Sequence, residues 1–266
     1  QNEIDITRQD DVRQAIQTVR PDLVINAAGM TNVDGAEKDK QTAYAVNGEA
    51  PGSIAAICAE NDIPMIHLST DYVFRGDRDI PYRPDDALDP VNVYGRSKMM
   101  GEEAVRQATP KHVIIRLSSV FSIFGRNILT NTITLIEERD ELKMVNDQVA
   151  CPTPAASVAE TLICMSEAIL MGKKDGFGTY HYCGTPPCSR YEFTRAILKL
   201  CAPFTSRCPV ITPVSSDIYA HLAPRPRRSV LDCGKIGRDY GILQPSWQEG
   251  FGETVRLIFQ NRKLNS

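Results

Sequence analysis

Val93-Tyr94-Gly95-Arg96-Ser97-Lys98 stands downstream of an apolar run, Pro64-Met65-Ile66-His67-Leu68, that ends in the hydroxyl pair Ser69-Thr70. The run has the length and composition of a buried strand. The segment from Asn92 to about Gln107 reads as a helix, with Asn92 as its N-cap. Residues four apart on a helix share a face, so Tyr94 and Lys98 reach one small volume above the strand end. A phenol has an unperturbed pKa of about 10, and a neighbouring ammonium favours the phenolate, so Lys98 is expected to lower it. A hydroxyl from the strand end, Thr70, is placed to hold a carbonyl oxygen. These are the parts a carbonyl reduction needs when a bound nicotinamide brings the hydride. Tyr-x-x-x-Lys alone is a common helical spacing; its surroundings make it informative. Gly95 inside the helix costs roughly 1 kcal/mol relative to alanine. Ser97 and Gly101 add small residues beside the same face, which admits close approach of a sheet or a flat cofactor.

Outward from that segment, strand-like and helix-like patterns alternate. Val12, Ala15, Ile16 and Val19 have helical spacing over residues 9–20, and Pro21 stops that helix. The run 22–28 fits a buried parallel strand. A helical stretch follows over about 38–60, which Pro51 should bend. After the strand at 64–70 and a Pro- and Asp-rich loop come strands at 112–117 and 141–145. A helix at 155–171, a strand at 178–183 and a helix at 189–201 follow. Pro-rich linkage over 203–226 leads to a short surface helix at Gly234–Gly241 and a final helix at about 246–260. Such alternation implies an α/β fold, a doubly wound parallel sheet covered on both faces. The expected division is a dinucleotide-binding domain over 1–146 and a smaller, interleaved α/β substrate domain over 147–266.

Composition narrows the function classes. A net charge of −3 gives no basic surface for nucleic acid or an anionic membrane. No apolar run approaches the ~20 residues of a membrane span, so a cytoplasmic protein is expected. The eight cysteines contain no C-x-x-C, and His67, His112, His181 and His221 do not cluster with them, so the spacing specifies no metal site. Buried, reduced thiols are the expected state.

Further stretches carry a resemblance. These are Asn26-Ala-Ala-Gly-Met-Thr-Asn-Val-Asp-Gly-Ala-Glu37, Ala45-Val-Asn47, Ser69-Thr-Asp-Tyr-Val-Phe-Arg-Gly76 and the run from Pro90 to Glu102. Asn146-Asp-Gln-Val-Ala-Cys-Pro-Thr153, Gly178-Thr-Tyr-His181, Ser189-Arg-Tyr-Glu-Phe193, Arg225-Pro-Arg-Arg-Ser-Val-Leu-Asp232 and Pro245-Ser-Trp247 continue them in order. With these motifs the chain resembles the dTDP-4-dehydrorhamnose reductase family of the extended short-chain dehydrogenase/reductases.

The resemblance implies a Rossmann-like fold, NADPH or NADH as cofactor and a nucleotide-sugar ketone as substrate. It makes Tyr94 the proton donor, Lys98 its tuner and a ligand of the nicotinamide ribose, and Thr70 the partner of the C4 carbonyl. Asp5 and Ile6 match a pair near the adenine. Asn26, Ala27, Ala28 and Ser69 would line the cofactor, with Asn47 supporting the strand–helix geometry beneath it. Thr31, Val33, Asp71 and Tyr72 would face the deoxysugar, and Arg225 would meet the nucleotide's phosphates. The residues alone leave simpler roles open: Asn26 as a strand-end cap, Arg225 with Arg227 and Arg228 as a solvated basic edge, and Asp34 and Glu37 as surface charges. A homodimer is compatible with the resemblance, although no ligands for the metal that bridges some members can be placed.

Three departures stand out. Leu117-Ser118-Ser119 replaces a run that carries an aromatic residue in many members, so Ser119 takes its place beside the sugar. Pro224 stands where an arginine is usual. No G-x-G-x-x-G turn follows a strand, so the expectation is a fragment of a complete enzyme, or a sheet finished by another polypeptide, with the strand at 22–28 left open at its edge. Dehydratases with the same Tyr/Lys pair carry two acidic residues after the threonine; here the run is Thr70-Asp71-Tyr72, which favours plain reduction. The alternatives are another nucleotide-sugar epimerase or reductase, and a non-catalytic regulatory subunit like that of methionine adenosyltransferase.

Overall fold

The computed structural model describes residues 4–173, 175–218 and 223–264, so His221 lies outside the described residues. The elements run α1 (Gln9–Val19), β1 (Val24–Asn26), α2 (Val33–Lys38), α3 (Lys40–Tyr44), α4 (Ala50–Glu60), β2 (Met65–Thr70), α5 (Val93–Ala108), β3 (His112–Leu117), β4 (Val120–Phe121) and α6 (Ile128–Glu138). They continue with β5 (Glu141–Val145), β6 (Val149–Ala150), β7 (Thr153–Pro154), α7 (Ala155–Leu170), β8 (Gly178–Tyr182), β9 (Cys188–Ser189), α8 (Arg190–Cys201), β10 (Val210–Val214), α9 (Gly234–Tyr240) and α10 (Phe251–Leu264).

Strand alternation sets the layers, because successive side chains point to opposite faces. Met65 and Ile114 join Val12 and Ile16 of α1, Ile54 and Ile57 of α4 and Val105 of α5 on one face. Their neighbours Ile66, Val113 and Ile115 pack on Val158, Met165 and Ile169 of α7, Tyr180 of β8 and Ile236 of α9 on the other. The sheet between has the order β1-β2-β3-β8, all parallel, and among the described residues β1 pairs on one side only. The fold is Rossmann-like and doubly wound.

A second core gathers Leu129, Ile133 and Ile136 of α6, Leu142 of β5, Phe193 and Ile197 of α8, Trp247, and Phe251, Val255 and Ile258 of α10. The two cores interleave in sequence. β5 pairs with β10 in this second lobe, whereas β8, much later in the chain, supplies the fourth strand of the main sheet.

Several boundaries differ from expectation for local reasons. α6 is rich in β-branched Ile and Thr, which disguises it as a strand pattern. It is fixed by a capping box in which Asn127 accepts from the Thr130 backbone while the Thr130 hydroxyl accepts from Asn127. β10 contains Pro213 and lies within the stretch expected to be linkage; a single pairing partner tolerates proline there. The expected helix over 38–60 is divided. Asp39 caps α3, residues 45–49 form a π-helical turn, and Pro51 sits in the first turn of α4, where it needs no hydrogen-bonded N–H.

Candidate active site

α5 packs on one face of the sheet, with its first turn beside the C-terminal end of β2, and is held at several points. The Asn92 side chain caps it by accepting from Gly95 N at 2.7 Å and donates to Pro224 O at 2.8 Å. Glu37 accepts from Val93 N at 2.8 Å. Glu37 is therefore a second cap for α5 rather than a free surface charge. A Cβ on Gly95 would lie 2.2 Å from the Tyr72 carbonyl oxygen, and one on Gly101 would lie 2.1 Å from that of Asn47. The glycines let α5 touch the backbone on both flanks.

Asn47, buried on the π-helical turn, accepts from Met30 N at 2.8 Å. It donates to Met30 O at 3.0 Å and to Ser97 Oγ at 3.1 Å. Asn26 accepts from Ala28 N at 3.1 Å and its Nδ2 lies 3.2 Å from His67 Nδ1. Together they hold the Ala27-Ala28-Gly29 turn after β1, which is small and exposed, against α5. Asp5 is exposed and accepts from the Thr7 N–H and hydroxyl, while Ile6 packs on the core of α1 and α4. Thr31 is exposed and Val33 half-buried at the start of α2.

Tyr94, Lys98 and Thr70 converge. The Thr70 hydroxyl lies beside the Tyr94 phenol, and Lys98 Nζ is buried and donates to Leu68 O at 2.6 Å. The expected lowering of the Tyr94 pKa by Lys98 does not hold. Burial pushes the phenol up to about 12, with nearby Asp71 and Tyr72 opposing ionisation and only the Thr70 hydroxyl acting the other way. Burial also brings the Lys98 ammonium down to about 8, against an upward pull from Glu102. Tyr94 is therefore a neutral phenol near pH 7, with its ring edge-on to Tyr72 at 5.7 Å.

Two residues expected at the open surface of the site lie beneath it. Ser69 Oγ donates to Glu102 Oε1 at 2.6 Å, so its hydroxyl points into the core. Asp71 is 2 % exposed and faces protein hydroxyls rather than the open cleft. Its oxygens accept from Thr70 at 3.1 Å, from Ser118 at 2.9 Å and from Ser229. Burial raises its pKa to about 6, despite those hydroxyl donors.

Beyond Tyr72 a cleft opens between the two lobes, lined by Ser119, Gln148, Ser189, Arg190 and Ser229 among others. Ser119 lies on that lining at a φ of 42°. Arg225 is half-committed: it donates to Asp34 at 2.8 Å and to Ala223 O at 3.1 Å. Asp34 is thus an ion-pair partner, not a lone surface charge. Arg190 and Gln148 went unnoticed in the sequence. Arg190 stood inside the quoted Ser189–Phe193 stretch, where the Ser189/Glu192 capping box fixes it as the first residue of α8. A larger hollow at Ile16, Arg20, Asp22 and Asp62 lies at the opposite ends of β1 and β2, away from this chemistry.

The residues present fit a nicotinamide dinucleotide. Lys98 has three N–H donors and spends one on Leu68. The turn after β1 presents no bulky side chain beside it. A doubly wound parallel sheet with a Tyr-x-x-x-Lys helix packed on one face, its first turn at the strand ends, defines the short-chain dehydrogenase/reductase class.

Within that class, residues 1–259 match the model of the RmlD substrate binding domain, and the chain belongs to that family. It is 35% identical over 256 residues to a dTDP-4-dehydrorhamnose reductase of Sinorhizobium fredii, covering 96% of this chain and 86% of the relative. It is 32% identical over 259 residues to the Escherichia coli reductase of the same name, again covering 96% of this chain and 86% of the relative. The crystal structure of dTDP-4-dehydrorhamnose reductase from Bacillus anthracis in complex with NADP superimposes with a TM-score of 0.86 at 32% identity, covering 96% of this chain and 87% of that one. A dTDP-glucose 4,6-dehydratase from Streptomyces venezuelae, at 18% identity and a TM-score of 0.79, shares the fold.

Proposed function

We propose that the chain reduces the C4 ketone of dTDP-4-dehydrorhamnose to give dTDP-L-rhamnose, a precursor of cell-surface polysaccharide, with NADPH or NADH as the reductant. The observation that carries this reading is the convergence of the Tyr94 phenol, the Lys98 ammonium and the Thr70 hydroxyl at the strand ends, on a chain whose relatives are reductases of that name. Asn26, Ala27, Ala28 and Asn47 would border the cofactor and Lys98 would bind its ribose. The lobe built on the second core, with Ser119 and Tyr72 at its mouth, would hold the nucleotide sugar. The eight free cysteines suit a reducing compartment and support a cytoplasmic setting for this work.

The bound dihydronicotinamide supplies the hydride. The chain's own residues manage the proton. A phenol at about 12 keeps its proton at neutral pH, yet an alkoxide forming on the substrate is far more basic, so transfer from Tyr94 runs downhill. Thr70 stands beside the Tyr94 oxygen, its hydroxyl oriented by donating to Asp71 Oδ1 at 3.1 Å. Lys98, which does not lower the phenol's pKa, would act by holding the cofactor's ribose. Incubating the chain with dTDP-4-dehydrorhamnose and each nicotinamide in turn, and following absorbance of the reduced ring, tests the assignment. No substrate-dependent loss of absorbance with either cofactor would refute it.

The pH profile has a predicted sign. Lys98 is protonated below about 8 and loses its charge above it. kcat/KM of the free enzyme should therefore fall as pH rises through about 8, whereas Tyr94 stays protonated across that range. A Lys98→Arg variant, always charged, should move the fall to higher pH; an unchanged profile would detach it from Lys98.

A further inference from the structure

We infer that Arg190, at the first position of α8, is the cation that binds the diphosphate of the nucleotide sugar and sets the chain's preference for a diphosphate-linked substrate; this rests on the nucleotide-sugar reading above. The basic residues that sequence alone nominated are occupied elsewhere. Arg225 pairs with Asp34 at 2.8 Å, Arg227 pairs with Asp217 at 2.9 Å, and Arg228 Nε donates to the Asp79 carbonyl at 3.1 Å. Arg225 and Arg227 are thus each paired with a carboxylate, and Arg228 is held on a backbone carbonyl.

Arg190 differs on each count. It is exposed, it lines the cleft between the lobes, and among the described residues no carboxylate pairs with it. Its charge is felt at the Tyr72 phenol, whose ring abuts that of Tyr94. Tyr72 and Arg190 line the same cleft, so this cation stands one aromatic ring away from Tyr94. Its position is fixed rather than incidental. Ser189 caps α8 by accepting from Glu192 N at 3.1 Å and is itself tied to Asn146 Oδ1 at 2.9 Å. The helix thus also directs its positive end toward the same cleft. A diphosphate offers several oxygens in the forked geometry that a guanidinium matches. Gln148, across the cleft, adds an amide that can donate to the same group.

The test uses dTDP as the probe, titrated calorimetrically into the full chain, alongside steady-state reduction of dTDP-4-dehydrorhamnose. Arg190→Ala should weaken dTDP binding and raise KM about tenfold or more, with kcat changed less than about twofold, as expected for uniform binding of a charged group. Arg190→Lys should retain part of the affinity. Arg227→Ala removes the same unit of charge from the rim and should leave both constants nearly unchanged. Equal losses in Arg190→Ala and Arg227→Ala would overturn the assignment in favour of a diffuse field. Unaltered dTDP affinity in Arg190→Ala, with normal reduction by the wild type, would overturn Arg190 and leave the reductase reading standing. A wild type that neither binds dTDP nor reduces the sugar would overturn both.

Discussion

Tyr94→Phe will lower kcat by about 10²–10⁴-fold, the range that general acid catalysis supplies, while leaving KM and the melting temperature close to those of the wild type. The substitution deletes one oxygen. The ring keeps its edge-on contact with Tyr72, and Thr70 still donates to Asp71 and accepts from Tyr72 N at 3.2 Å. No buried polar atom is stranded, so stability is spared. What disappears is the proton that must reach the oxygen as the ketone is reduced, and nearby groups cannot supply it. The Thr70 proton is engaged with Asp71, and Lys98 is turned to Leu68. Steady-state kinetics at saturating cofactor measure the effect. A turnover within about threefold of wild type would remove Tyr94 from the acid's role.

Glu102→Ala should be the most destabilising single change in the molecule, at roughly 3–5 kcal/mol, because it leaves a buried charge without its partner. Glu102 and Arg116 are 0 % and 1 % exposed. Arg116 Nε and Nη2 meet the carboxylate at 2.9 and 2.7 Å, and Arg106 and Ser69 each reach it at 2.6 Å. Burial alone would raise the Glu102 pKa, but these donors outweigh it and hold the carboxyl below the ordinary value. Its contribution is therefore present above the unfolded carboxyl's pKa of about 4.3 and lost as the pH falls below that. By contrast, Asp140→Ala breaks a pair with Arg207 whose partners are 92% and 55% exposed, and should change stability by less than about 1 kcal/mol. Urea unfolding of the two variants compares them directly; a Glu102→Ala loss no larger than that of Asp140→Ala would show that the network carries no net stability.

The catalytic helix and its strand were legible because their signals are local. Asn92 precedes the helix it caps, Tyr94 and Lys98 share a face by spacing alone, and the apolar run into Ser69-Thr70 is a strand wherever it lies. What could not be read was the pairing of distant segments. Nothing near Glu141–Val145 reveals that its neighbour is Val210–Val214 rather than the main sheet. Arg225 looks like an anion site until Asp34, 191 residues away, is found beside it. Likewise Asp71 reads as a substrate contact until Ser118 and Ser229 converge on its oxygens from separate parts of the chain. Local chemistry nominated Tyr94, but only the fold distinguishes committed charges from available ones.

The two glycines of α5 have a consequence for anyone wishing to retarget this catalyst. With backbone carbonyls 2.2 and 2.1 Å from where side chains would begin, positions 95 and 101 admit no variation without displacing Tyr94 and Lys98 together. Randomised libraries will therefore come back blank along that ridge. Diversity has room instead at Gln148, which lines the cleft away from that helix.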